Sequence, residues 1–150
     1  MAKGDPDPKA LGCDGVWRTD RAQTLLRCVE GRPVSHVTTA FLAWLVQQMA
    51  AEQKRVLVLV WDNASWHIRR EVRPWMRQHH QQAKRHGGVR RLTCRLPVKS
   101  PWLNPSEPRW VHGTRAVVAP ARLLTAPELI SRVYAYFATD QLEPLKQHVA

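Results

Sequence analysis

The chain has 150 residues, enough for one domain with a buried core. Its formal net charge of +11 and its pI of about 10.6 favour a polyanionic partner, nucleic acid before a membrane surface. The first residues, MAKGDPDPKALG, lack the apolar segment of a signal peptide, and no apolar run is long enough to cross a bilayer. We therefore expect a soluble cytoplasmic protein that does not contact a membrane.

The positive charge is concentrated in one part of the chain. Between Arg69 and Arg115 there are twelve Lys or Arg residues and only two acids, Glu71 and Glu107. This excess accounts for almost all of the net charge. It predicts a surface that binds polyanions, and the alternative is a basic face that is merely solvated.

The three cysteines, Cys13, Cys28 and Cys94, are scattered singly and form no CxxC pair. This spacing supports neither a zinc ribbon nor a disulfide framework. A reducing compartment fits it best.

The N-terminal part of the chain predicts a hairpin followed by a helix. Residues 1–9 are rich in turn-forming residues, and we expect them to be disordered. Two short strands are expected over residues 10–18 and 23–30. A helix should begin near Thr38, with Thr38 or Ser35 as its cap. Its apolar face would carry Phe41, Leu42, Leu45, Val46 and Met49.

The stretch Val56–Trp61, VLVLVW, indicates a strand buried on both faces, and it leads directly into Asp62. An ionised carboxylate beside an apolar interior is costly unless something pairs with it. In α/β sheets, ligands bind beyond the carboxyl ends of the strands. Asp62 is therefore the first candidate for a functional residue.

A basic helix is expected over residues 71–84 and should end at Gly87-Gly88. Pro74 fits its first turn, and Trp75 and Met76 should face inward. Residues 90–96, RRLTCRL, alternate basic and apolar side chains, as a half-exposed strand does.

The C-terminal part predicts two more helices after a proline-dense passage over residues 97–108. One is expected over residues 107–118, and the last opens with the capping-box pattern Thr125-Ala126-Pro127-Glu128. This last helix carries Leu129, Val133, Tyr136 and Phe137. The order ββαβαβαα predicts an α/β fold with a mixed sheet flanked by helices, and no second domain.

Two stretches stand out for their chemistry, WDNASWH at 61–67 and LPVKSPWLNPSEPRW at 96–110. Each brings one acid, Asp62 or Glu107, into a strongly basic region. Two converging carboxylates repel each other unless a cation lies between them, and Mg²⁺ prefers such oxygen ligands. The alternative is that Asp62 caps a helix and Glu107 pairs with Arg109.

The same two stretches resemble motifs of the DDE transposases, in the bacterial insertion-sequence branch related to mariner elements. Asp62-Asn63-Ala64 with His67 is similar to the second-aspartate motif. The third-acid motif is matched by Leu96-Pro97, Ser100-Pro101, Leu103-Asn104-Pro105 and Glu107 followed by Trp110. The resemblance extends over roughly residues 10–137. It implies a ribonuclease H-like fold in which metal-bound carboxylates cut DNA ends and join them to a target.

Carried over residue by residue, the resemblance makes Asp62 and Glu107 the catalytic ligands of Mg²⁺ or Mn²⁺. Asn63 would shape the turn beside Asp62, and Asn104 and Pro105 would fix the loop that presents Glu107. His67 would lie near the metal or the DNA phosphate, or else be a satisfied imidazole near a helix start.

Basic side chains around the two acids are expected to contact DNA phosphates. They are Arg69, Arg70, Lys99, Arg109 and Arg115. The tryptophans in the two motifs are expected to pack rather than to stack on bases. They are Trp61, Trp66, Trp102 and Trp110.

The chain departs from the family pattern at its N-terminus. The first catalytic acid belongs on a strand before the hairpin, and there is no room for that strand. Asp5, Asp7 and Asp14 match no motif, so no first acid is assigned. The N-terminal helix-turn-helix DNA reader is also missing. We therefore expect residues 10–150 to be a partial catalytic domain, truncated at its first strand.

The expected function is DNA transposition, with a chain that alone is weakly active or inactive. An upstream polypeptide could supply the first acid, and a homodimer is possible. One alternative is a non-catalytic DNA-binding remnant, or an inhibitor of a full-length transposase. Another is a carboxylate-dependent nuclease without strand transfer.

Overall fold

A computed structural model of the chain describes residues 11–30, 35–61, 71–118 and 124–146. The described residues form a mixed α/β structure whose order, ββαβαβαα followed by a short strand, confirms the predicted succession. The strands are β1 (Gly12–Arg18), β2 (Gln23–Glu30), β3 (Val56–Trp61), β4 (Arg90–Arg95) and β5 (Leu145–Lys146). The helices are α1 (Ser35–Ala51), α2 (Val72–His86), α3 (Glu107–Val118) and α4 (Ala126–Tyr136), with a 3-10 turn at Pro101–Leu103.

The chain divides into two compact units. The hairpin unit comprises Met1–Pro33 and Pro105–Ala150, and the parallel-sheet unit comprises Val34–Asn104. The expected tail over residues 1–9 lies outside the described residues, so the division into a tail and a partial catalytic domain stays a prediction. No helix of the described ranges is both long and apolar enough to span a membrane.

In the hairpin unit, β1 and β2 pair antiparallel from Gly12↔Val29 to Arg18↔Gln23. The two residues of β5 pair in parallel with the end of β2. Arg18 donates to both carboxylate oxygens of Asp20, at 3.1 and 2.8 Å, within the hairpin turn. This fork-like pair is nearly buried at its Arg18 end, where the residue is 6% exposed, and it fixes the turn.

Helices α3 and α4 pack on one face of this hairpin, around buried Leu26, Cys28 and Tyr134. The Trp110 ring of α3 lies so close to β1 that a Cβ on Gly15 would come within 2.5 Å of it. Only glycine leaves room for the ring at this place. On α4 the buried aromatic side chain is Tyr134, whereas Tyr136 is 43% exposed.

In the parallel-sheet unit, β3 and β4 pair in parallel from Val56↔Arg90 to Trp61↔Arg95. Helix α1 begins at Ser35, one turn earlier than expected, which places Thr38 inside the helix and buries it. Helix α2 has Pro74 in its first turn and ends before Gly87, as predicted. The buried apolar residues of this unit are Val37, Phe41, Leu42, Leu45, Met49, Leu59, Val72, Met76 and Val89.

The expectation that β3 is buried on both faces is wrong. Leu59 is 6% exposed, but Val56, Val58 and Val60 are each about half exposed. Because Val58 stands beside Leu92 in the register, Leu92 shares the exposed face of the sheet. Arg91 points to the other face, where its guanidinium lies 5.1 Å from the centroid of the Trp75 ring on α2. The apolar side chains of β4 therefore face outward and Arg91 inward.

A single mixed sheet was expected, but the described strands form two sheets, β1-β2-β5 and β3-β4. Within the described ranges, β1 pairs only with β2 and β3 pairs only with β4. Each of these strands therefore keeps one edge without a strand partner among the described residues.

Candidate functional site

Five of the residues predicted for the site lie outside the described residues. They are Asp62, Asn63, His67, Arg69 and Arg70. The described residues of the two motifs include Trp61, which ends β3, and the passage from Leu96 through Arg115. The geometry of the site is therefore that of these described residues.

Glu107 is the first residue of α3, and its side chain is exposed. A carboxylate at this end of a helix is stabilised by the aligned peptide dipoles. The alternative pairing of Glu107 with Arg109 is wrong, because the Arg109 Cζ atom lies 3.2 Å from the centroid of the Trp17 ring. Within the described part of the chain, Glu107 makes no ion pair, so its carboxylate can take an external ligand.

The passage before Glu107 is a series of short turns. The Leu103 N–H donates to the Ser100 carbonyl in the 3-10 turn, and the Trp110 N–H donates to the Ser106 carbonyl as α3 begins. Pro105 stands in the turn between them and Asn104 is half-buried. These turns end at the helix start that carries Glu107.

The motif tryptophans behave differently from one another. Trp110 packs against Phe137 with ring centroids 5.0 Å apart, as predicted. Trp102 is 75% exposed, so the expectation that it packs is wrong. Its neighbours Val98 and Leu103 are also exposed, at 74% and 49%. Trp66 lies outside the described residues.

A basic cleft lies at the carboxyl ends of the two parallel strands. Trp61 and Arg95, the last residues of β3 and β4, line it together with Arg73 and Arg77 of α2. Its volume is about 270 Å³, and the other described residues in its lining are Val72, Met76 and Thr93. We call it the Trp61 cleft. Among the described residues that line it there are three arginines and no acid, and the chain continues from Trp61 directly into Asp62.

The sequence contained a signal for this cleft. Arg73 and Arg77 are four residues apart, so they share one face of a helix. The contribution of Arg95 to the cleft could not be predicted without the strand register, because its place beside Trp61 depends on a pairing between segments more than thirty residues apart.

Two of the three cysteines are neighbours in space. Cys13 and Cys28 stand opposite each other on β1 and β2, with their sulfur atoms 3.4 Å apart. The hydrogen bond between the thiols, together with burial, raises the pKa of Cys13. The same bond lowers the pKa of Cys28, whose backbone N–H donates to the Tyr134 hydroxyl at 3.3 Å. The isolated spacing in the sequence hid this pair, because only the hairpin register brings it together.

Asp14 is the one acid of the unassigned three that lies among the described residues. Its Oδ2 atom is buried without a hydrogen-bond partner, and burial raises its pKa to about 6. It follows Cys13 on β1, so its side chain points away from the face that packs against Trp110. Asp14 therefore lies on the opposite face of the hairpin from α3, the helix that Glu107 begins.

The described residues contain no cluster of three side chains able to hold a metal ion. Of the two predicted ligands, Glu107 alone is described. Its exposed carboxylate offers the oxygen donor that a hard divalent cation prefers.

Comparison with known protein families gives one match. A family model described as DDE superfamily endonuclease matches residues 19–130, which include the hairpin turn, both motifs and the start of α4. No curated protein and no solved structure matches the chain.

Proposed function

Because the chain belongs to the DDE superfamily of endonucleases, we propose that it serves DNA transposition in the insertion-sequence branch related to mariner elements. The reaction is metal-dependent cleavage of DNA strands at the element's ends and their transfer to a target. The observation that carries this proposal is the family match over residues 19–130, because it contains Asp62 and Glu107 in the order of the family's second and third acids.

Asp62 and Glu107 are the proposed ligands of Mg²⁺ or Mn²⁺. A bound divalent ion supplies polarisation of the scissile phosphate and a more acidic attacking oxygen. The exposed carboxylate of Glu107 at the start of α3, which makes no ion pair among the described residues, supports this role. Asn63 and His67 shape the site beside Asp62, and Asn104 and Pro105 set the turns before Glu107.

The Trp61 cleft supports DNA as the substrate. Three arginines and no acid line it among the described residues, and its residue Trp61 directly precedes Asp62 in the chain. Guanidinium groups bind phosphate through paired N–H donors, and such contacts position the strand without reading its sequence. We assign phosphate contacts to Arg73, Arg77 and Arg95, in addition to Arg69, Arg70, Lys99, Arg109 and Arg115.

The catalytic set is completed from outside this chain. The fold is ribonuclease H-like and lacks its first strand, which carries the first acid. The edges of β1 and β3 that have no strand partner among the described residues support this proposal, because each offers backbone groups with which a further strand can pair. An upstream polypeptide supplies the strand, the complete enzyme works in the cytoplasm, and a homodimer is one assembly that brings two DNA ends together.

The experiment is a nicking assay on supercoiled DNA with Mg²⁺ or Mn²⁺. We expect the chain alone to nick weakly or not at all, and the chain joined to the upstream-encoded strand to nick and to join pre-cut ends. Asp62→Asn and Glu107→Gln should each abolish this activity, whereas the exposed control Glu143→Gln should retain it.

Robust nicking by the chain alone would contradict the need for an upstream strand. Nicking without end joining would favour an ordinary nuclease. A second candidate is a non-catalytic DNA-binding protein. It would be favoured if neither the chain alone nor the chain joined to the upstream-encoded strand cleaved DNA, and if Asp62→Asn and Glu107→Gln left DNA binding unchanged. The three arginines among the described residues of the Trp61 cleft favour that candidate, because guanidinium groups bind phosphate without a metal.

A further inference from the structure

The hairpin unit contains a second basic cleft, to which the two motif stretches contribute only Arg109 among the described residues. It lies between the hairpin turn, α3 and the end of α4, and its volume is about 660 Å³. Its polar side chains come from Arg21, Gln23, Thr24, Arg109 and His112. Its aromatic side chains are Trp17, Tyr136 and Phe137. We call it the Trp17 cleft.

The described lining of the Trp17 cleft is basic. It includes two guanidinium groups and one imidazole, and none of the described lining residues is an acid. The acid of the hairpin turn, Asp20, is held by Arg18 through two hydrogen bonds. The cleft is therefore prepared for an anion.

Arg109 is held in place by an aromatic ring. Its Cζ atom lies 3.2 Å from the centroid of the Trp17 ring, and within the described residues it makes no ion pair with a carboxylate. Contact with the face of an aromatic ring fixes the planar guanidinium and leaves the N–H groups at its edge free to donate. A phosphate accepts two such donors at once.

The aromatic side chains of the cleft favour an unpaired nucleic acid strand over a duplex. Tyr136 is 43% exposed and lies in the lining with Trp17. In a duplex the faces of the bases are covered by their neighbours, whereas an unpaired base can stack on an aromatic ring or on a guanidinium plane.

We propose that the Trp17 cleft binds one nucleotide of an unpaired DNA strand. Its phosphate is bound by Arg109 and Arg21, and its base lies against the aromatic side chains. This inference rests on the proposed function for the identity of the nucleic acid, but it concerns a site that needs neither Asp62 nor a metal ion.

The test measures binding of a fluorescent single-stranded oligothymidylate of about 12 nucleotides, with EDTA present so that no cleavage occurs. Arg109→Gln should weaken binding on the order of tenfold, the loss expected for one charge-assisted phosphate contact and the stacking it supports. The control is Lys146→Gln, which removes one positive charge from an exposed residue of the same unit outside the cleft and should weaken binding by less than about twofold. Arg21→Gln, in the exposed turn, should act like Arg109→Gln without touching the packing on Trp17.

Two further ligands identify the part of DNA that is bound. An abasic oligomer with the same number of phosphates should bind more weakly than the oligothymidylate. A duplex of the same length should lose no more affinity through Arg109→Gln than through Lys146→Gln. Equal losses from both substitutions on the single strand, equal binding of the abasic oligomer, or a duplex loss as large as the single-strand loss would each overturn the proposal. If the cleft variants bind normally while Asp62→Asn abolishes nicking by the completed enzyme, the proposed function stands and this inference fails.

Discussion

Glu107 and Arg109 are two residues apart on α3, and their side chains serve different surfaces. Residues at this spacing do not face each other on a helix, because neighbouring side chains are those three or four positions apart. Arg109 instead reaches Trp17 on β1, and His112, three positions further on, lines the same cleft. Helix α3 thus directs Glu107, which is assigned to metal binding, and Arg109, which is assigned to DNA binding, to different surfaces.

The buried carboxyl of Asp14 makes a prediction about stability and pH. Its pKa rises from 3.8 to about 6 on folding because burial disfavours the charged form. The folded state therefore binds the proton more tightly, and stability is lost as the pH rises from about 4 to about 6. Asp14→Asn should raise the free energy of unfolding by about 3 kcal/mol at pH 7 and change it little at pH 4.

Urea unfolding of both proteins at several pH values measures this difference. Asp140→Asn is the control, because Asp140 is an exposed acid in the same unit and its substitution removes the same charge. A gain from Asp14→Asn that is the same at pH 4 and pH 7 would show that the carboxyl is not titrating in the folded protein.

At the scale of elements, the hairpin brings two thiols into bonding range. Cys13 and Cys28 stand directly opposite each other in the antiparallel register, with their sulfur atoms 3.4 Å apart. The Cα atoms of directly opposed residues in such a ladder are about 4.5 to 5.5 Å apart, which a disulfide can span.

We predict that mild oxidation by oxidised glutathione in excess converts this pair to a disulfide. The two thiols lose two protons and two electrons, and one glutathione disulfide is reduced to two thiols. The crosslink closes a loop of about fifteen residues and should stabilise the chain by about 3 kcal/mol in the loop-entropy account.

Mass spectrometry after alkylation in denaturant reads the outcome. Cys94, which is exposed on β4, should remain available to the alkylating reagent, whereas Cys13 and Cys28 should be protected until a reductant is added. Cys13→Ser should abolish both the protection and the gain in stability. Protection of Cys94 with alkylation of the other two would contradict the pairing.

The elements differ in how far the sequence determines them. Local signals were sufficient for the first turn of α2 with Pro74, for its end before Gly87, and for the capping box at Thr125, whose N–H donates to Glu128 at 3.0 Å. The faces of β3 and β4 were not predictable in this way. A strand's exposed face depends on its partner's register and on what packs above it, and neither is encoded within the strand.

At the scale of the whole molecule, the chain has two compact units with separate sheets among the described residues. The succession of elements and the family were both predictable, because they rest on periodicity and on two contiguous motifs. The two clefts were less predictable from the sequence. The Trp17 cleft joins the hairpin turn to residues 109–138, and such a junction requires contacts across most of the chain's length.

The central claim is that Asp62 and Glu107 bind one divalent metal site. The direct measurement replaces Mg²⁺ with Fe²⁺, adds ascorbate and peroxide, and locates by mass spectrometry where radicals formed at the bound ion cut the backbone. The account predicts cuts beside both residue 62 and residue 107, suppressed by excess Mg²⁺ and lost together in Asp62→Asn. Cuts beside only one of the two acids, or cuts beside Glu107 that survive Asp62→Asn, would contradict it.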